Sequence, residues 1–252
     1  MEQIRETFKE DKVKITTSFI IAGVFILIIW LVRFFEYYTK IDLGVYGVEP
    51  KVLKGLFGIL TSPLIHADFT HIFSNSISLF VLTFGLFYFY RRASIKVFLI
   101  IYLGSGLLVW MFARSAYHIG ASGLIYGFAS YLFFIGMFRR DKGAIALSLL
   151  MVFLYGSLVW GLFPVDQSIS FESHIAGAGL GLLCAVIFRN SEPKKKYEWE
   201  EEEAEDDDTE YIPGEEQADE THIRSDAEEV NFDTDEMFDE ELERIKRKNR
   251  IK

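Results

Sequence analysis

The stretch Ile119-Gly120-Ala121-Ser122-Gly123-Leu124-Ile125-Tyr126-Gly127 opens a long apolar run and carries three glycines in nine residues. A glycine costs about 1 kcal/mol relative to alanine inside a helix in water. Three of them therefore mark either a surface where two helices touch or a place that holds a serine for chemistry. The chain around the stretch decides which.

Half of the 252 residues are apolar, yet the formal net charge is −10. The two properties are segregated: up to about Asn190 the chain consists of apolar blocks separated by short charged loops, and beyond it lies a segment rich in Glu and Asp. Each block is close to the roughly 20 residues that a helix needs to cross a bilayer. Six spans are expected, at Thr16–Phe35, Ile72–Tyr90, Val97–Ala113, Gly120–Phe138, Gly143–Phe163 and Phe171–Phe188. The fold class is then all-α: a polytopic membrane protein with a six-helix bundle over residues 16–190. Residues 1–15 form a cytoplasmic N-terminus and residues 191–252 an acidic cytoplasmic tail, expected to be disordered and solvated. The first block runs on into Trp30-Leu31-Val32-Arg33 with no small-residue cleavage site, so it reads as a retained span.

Orientation follows the positive charges of the short loops. Lys9, Lys12 and Lys14 precede the first span, Arg91, Arg92 and Lys96 follow the second, and Arg139, Arg140 and Lys142 follow the fourth. Arg189 and Lys194 to Lys196 follow the sixth. With six spans all of these lie on the cytoplasmic side, in a bacterial inner membrane by this reading. The opposite loops agree in part, with Asp166 and Glu172 in one, Arg114 alone in another, and Lys51 and Lys54 in the long first one. The single cysteine, Cys184, cannot make an internal disulfide. No Cys/His cluster has zinc-ligand spacing and no glycine-rich loop ends in Lys-Ser or Lys-Thr. Neither a metal, a cofactor nor a nucleic-acid partner is expected.

Polar groups within membrane spans are costly and mark function. His71 and Asn75 stand one helical turn apart on one face of the second span. Ser122 opens the fourth, and Glu172-Ser173-His174 opens the sixth. These spans all run from outside to inside, so their N-terminal ends share one layer and His71, Asn75, Ser122 and His174 can meet. The 17 residues from Ser122 to Phe138 rise about 25 Å, which sets the serine a little below the outer interface. Gly177 and Gly181 on the sixth span match Gly123 and Gly127 on the fourth in small-xxx-small spacing, which lets two backbones approach. Packed so, Ser122 lies beside His174, a neutral imidazole suited to take its proton. Donors for a developing oxyanion are available in His71, Asn75 and the N–H of Ser122. No third-member carboxylate is evident, so a Ser–His dyad is expected.

With these residues in hand the sequence resembles the rhomboid family of intramembrane serine proteases, in its minimal six-span form, over roughly Lys51 to Arg189. The resemblance is carried by Gly-x-Ser-Gly at Gly120–Gly123, His-x-x-x-Asn at His71–Asn75 and His-x-x-Gly-x-x-x-Gly at His174–Gly181. It implies Ser122 as nucleophile, His174 as general base, and His71 and Asn75 as helpers of the Ser122 backbone at the oxyanion. It also implies that the Tyr126 ring packs against the histidine. The substrates it implies are single-pass helices in the lipid bilayer, cut near the outer face and entering sideways between the second and fifth spans. Two departures stand out: no Trp-Arg pair is recognisable between Phe35 and Pro63, and Ser173 stands where the family often has Ala.

Two alternatives remain at this stage: a rhomboid-like binder of transmembrane segments that does not cut, and a small transporter. His66 and His118 fall in external loops, where solvated side chains are the plain expectation. The stripe Leu79-Phe80, Phe84 and Phe87-Tyr88-Phe89-Tyr90 reads as lipid-facing. Apolar residues at Phe238, Leu242 and Ile245 sketch a short helix near 235–248, serving as a spacer or docking onto a cytoplasmic partner.

Overall fold

The computed structural model describes residues 2–140, 142–164 and 169–193. The acidic segment and its expected short helix near 235–248 lie outside the described residues. By its contacts the chain divides into Met1–Tyr197 and Glu198–Lys252, and the described residues all belong to the first unit. Six helices are long and apolar enough to cross a membrane. We label them α1 (Glu2–Thr39), α2 (Phe69–Phe89), α3 (Arg91–Phe112), α4 (Ser122–Arg139), α5 (Lys142–Tyr155) and α6 (Phe171–Phe188). α5 continues without a break into a 3₁₀ segment, Gly156–Leu162. The chain is an integral multi-pass membrane protein.

α4 is the central element. More than half of its apolar window, 56%, is buried, against 17% for α5 with its 3₁₀ extension. Phe128, Tyr131, Leu132 and Ile135 on α4 pack with Leu79, Leu82 and Leu86 on α2, Val97 and Ile101 on α3, and Cys184 and Ala185 on α6. The α4–α6 pair makes the most extensive contact in the fold. A Cβ at Gly177 would overlap the carbonyl oxygen of Gly123, and one at Gly181 would overlap that of Gly127. The two backbones touch directly, and only glycine permits it.

Several boundaries differ from the sequence expectation. Arg91, Arg92 and Lys96 are not in a loop: α2 and α3 meet at Tyr90 alone, and all three residues lie in the first turns of α3. Hydropathy marks where an apolar run stops, whereas Arg and Lys are good helix formers and carry the helix past that point. The first helix likewise begins at Glu2, well before the expected span. Arg139 is the last residue of α4 and is buried. Its Nη1 donates to the carbonyl of Glu192 at 2.8 Å and its Nη2 to that of Pro193 at 3.0 Å, while the Glu192 carboxylate accepts the N–H of Arg92. Leu79 and Tyr90 are buried rather than lipid-facing, because the α2 stripe wraps from the bilayer onto α3 and α4.

The long connection from α1 to α2 folds into short helical turns at Gly44–Tyr46, Leu53–Leu56, Gly58–Thr61 and Ser62–Leu64. Val48 pairs with His118 through two backbone hydrogen bonds, 3.0 and 2.9 Å, tying this connection to the α3–α4 loop.

Candidate active site

The N-terminal ends of α2, α4 and α6 converge at one end of the bundle. Each is built by a local signal. Asp68 caps α2, its carboxylate accepting the His71 N–H at 2.7 Å. That bond holds the Asp68 carboxyl below its ordinary pKa. Ser170 caps α6, its hydroxyl accepting the Ser173 N–H. α4 has no side-chain cap, and its first turn closes on the backbone, the Leu124 and Ile125 N–H groups donating to the Ala121 carbonyl at 3.0 and 3.2 Å. The turn into α4 rests on Gly120, at φ +107°, a conformation that residues with a side chain rarely adopt. The Gly120 N–H donates to Ser62 at 2.8 Å, and a Cβ there would stand 3.0 Å from the His71 ring.

Ser122 Oγ lies 2.9 Å from His174 Nε2. His174 is buried and its Nδ1 lies 2.8 Å from the carbonyl oxygen of Gly161. The Tyr126 ring stacks on the imidazole, centroids 4.0 Å apart and planes within 8°. The Tyr126 hydroxyl donates to the Leu158 carbonyl at 2.8 Å. Asn75 is buried beside Gly120, and its Nδ2 has no hydrogen-bond partner. His71, Asn75, Ser122, Tyr126 and His174 all line one cavity of about 610 Å³, which reaches the loop residues Asp68, Arg114 and Tyr117. A hydroxyl, an imidazole and unpaired donors around one polar cavity can support acyl transfer. No cluster of metal ligands occurs among the described residues.

The structure corrects the reading of His66 and His118. Both are buried, at 1% and 3% exposure. His66 Nε2 accepts the N–H of Ala121 at 3.4 Å, and its ring meets that of His71 edge-on at 5.1 Å. His118 bonds the carbonyl of Arg114 through Nε2 at 3.1 Å and the Ser170 hydroxyl through Nδ1 at 2.6 Å, and Ser170 bonds Ser173 at 2.7 Å. His118 thus joins the loop before Ser122 to the cap of the helix that carries His174. Neither role was visible in sequence. The one available hint was spacing, since His66 precedes His71 by five residues and His118 precedes Ser122 by four.

Burial, then the neighbouring His71, lowers the His66 pKa from 6.5 to about 4. The unfolded chain takes up this proton below pH 6.5 and the folded chain only below about 4. Stability is therefore fully present above 6.5 and falls as pH drops through that window, by up to about 3 kcal/mol. Thermal unfolding in detergent at pH 7.5 and 4.5 should show this loss, and a His66→Gln variant should show less of it. An equal pH dependence in the variant would remove His66 as the cause.

A family model described as Rhomboid domain matches residues 54–191. An uncharacterized protein of Mycobacterium tuberculosis is 31% identical over 181 residues, covering 68% of this chain and 75% of its own length. One from Mycobacterium leprae is 29% identical over the same share of this chain and 71% of its own. A Bacillus subtilis protein provisionally named a rhomboid protease is 31% identical over 150 residues, 57% of this chain and 73% of its own length.

Proposed function

Because the chain belongs to the rhomboid family, we propose that it is an intramembrane serine protease with Ser122 as nucleophile and His174 as general base. The observation that carries this reading is the 2.9 Å contact between Ser122 Oγ and His174 Nε2, from two helices whose backbones touch.

Ser122 Oγ attacks the scissile carbonyl carbon while its proton passes to His174 Nε2. The oxyanion forms beside the Ser122 N–H, Asn75 Nδ2 and His71, donors that a water-poor site makes worth several kcal/mol. His174 then returns the proton to the departing amine, leaving an acyl-serine. A water molecule, deprotonated by the same imidazole, releases the new carboxyl end and restores the serine. The buried Asn75 amide without a partner supports its part, since a donor in that state gains most when charge develops next to it.

On this reading the substrates are single-pass transmembrane helices that unwind near the outer face of a bacterial inner membrane. Residues 16–190 make the membrane domain, and both termini, with the acidic stretch 191–252, face the cytoplasm. The Lys and Arg residues at the opposite end of the bundle from Ser122 support that orientation.

The test is labelling of the purified protein with a fluorophosphonate probe, followed by mapping of the modified residue. Modification at Ser122 is expected, and an unlabelled or differently labelled protein would overturn the assignment. Asn75→Ala should slow cleavage of a helical substrate by roughly ten- to a thousandfold with the protein still folded. Wild-type kcat in that variant would remove Asn75 from the oxyanion site.

A further inference from the structure

The proposed dyad has no carboxylate to orient its histidine, yet the histidine is not left unoriented. A carbonyl oxygen can only accept a hydrogen bond, so the 2.8 Å contact to Gly161 requires the hydrogen of His174 on Nδ1. Neutral imidazole then offers the lone pair of Nε2 to the Ser122 hydroxyl, the tautomer that a general base needs.

Two features of the chain keep that carbonyl available. Gly161 lies in the last turn of the 3₁₀ segment. Continued one residue further, the segment would bond its oxygen to the N–H of residue 164. The backbone instead turns extended at Phe163, at φ −101° and ψ 148°, as it does before a proline. Residue 164 is Pro164, which has no N–H. Gly161 also leaves room for the contact: a Cβ there would overlap the Tyr126 hydroxyl and stand 3.2 Å from His174 Nδ1. Three residues earlier, the carbonyl of Leu158 takes the Tyr126 hydroxyl, and Tyr126 covers the face of the imidazole. The edge of the histidine and its face are thus both held by backbone oxygens of one short segment.

We propose that the Gly161 carbonyl takes the place of a triad carboxylate. Gly161 and Pro164 are then positioning residues that make the base tautomer of His174 depend on the seating of α5. The inference rests on His174 being the general base. α5 with its 3₁₀ extension is the least buried of the six spans, so the group that selects the tautomer sits at the edge of the bundle rather than in its core. With the segment seated, Nε2 is a base. With it displaced, the imidazole loses its acceptor and the anchor of its stacking partner together. It can then turn a protonated Nε2 toward Ser122, which cannot take the serine proton.

The test uses the full chain in detergent or nanodiscs, ¹⁵N-labelled at histidine, with Gly161→Ala and Pro164→Ala variants. Pro164→Ala frees Phe163 to take helical angles and supplies the N–H that then competes for the Gly161 oxygen, with no side-chain atom added at the site. The wild-type spectrum should show neutral His174 protonated at Nδ1, and both variants should lose that signature. Their kcat and their rate of fluorophosphonate labelling should fall in parallel by at least about tenfold, with KM within about twofold. A wild-type His174 protonated at Nε2 would overturn the proposal. So would wild-type kcat and labelling in the folded variants. If Gly161→Ala does not fold, Pro164→Ala and the wild-type spectrum decide. A wild-type protein that the probe never labels counts against the protease reading instead, because the tautomer spectrum needs no turnover.

Discussion

Ser122→Ala is expected to abolish cleavage of a helical substrate, a fall of at least about ten-thousandfold, and to leave the protein folded. The substitution removes one oxygen. Among the described residues the hydroxyl bonded to His174 Nε2 is that of Ser122, so the general base loses the group it would deprotonate. The structural cost is one hydrogen bond, about 1 kcal/mol, since the α4 backbone and its glycine contacts are untouched. Cleavage assays beside thermal unfolding separate the two effects. Residual cleavage at the wild-type rate in a folded Ser122→Ala protein would place the chemistry elsewhere.

Gly177→Val should remove activity and stability together. A Cβ at this position would overlap the Gly123 carbonyl oxygen and stand 3.2 Å from the Gly127 nitrogen. Both atoms are backbone, so no side chain can swing aside and the helices must separate. Overpacking of this kind costs about 1–3 kcal/mol, and a backbone-to-backbone clash belongs at the upper end. The displacement also falls on the chemistry, because Gly123 follows Ser122 directly and Gly177 lies one turn below His174. A shift of about 1 Å between reacting groups can cost a hundredfold in rate. Melting temperature and probe labelling should both drop. A variant that melts and labels like the wild type would mean that the two helices do not meet at this glycine.

These two residues were legible in the sequence for different reasons. Gly177 and Gly181 announce a close approach by spacing alone, and Ser122 and His174 stand out as polar groups at the heads of apolar spans. The six spans were legible from length and hydropathy. Helix ends were less so, because Arg91, Arg92 and Arg139 extend helices that the apolar pattern had already closed. The change of α5 from α to 3₁₀ geometry left no hydropathy signal, and the apolar run continues through it. His66 and His118 were misread as solvated, because a loop residue is buried by segments remote in sequence, Ser170 in the case of His118. The Gly161 oxygen was hidden more deeply, since a backbone carbonyl has no letter of its own and only Pro164 hinted that it was free of its usual partner.

The buried guanidinium at the foot of α4 has a mechanical consequence. Arg139 grips the carbonyls of Glu192 and Pro193, a few residues past the end of α6. Tension applied to the chain further along is therefore borne by the most deeply embedded rod of the bundle, as a cable clamp spares the joint behind it. The last rod is not drawn downward, and the imidazole near its top keeps its height relative to the serine.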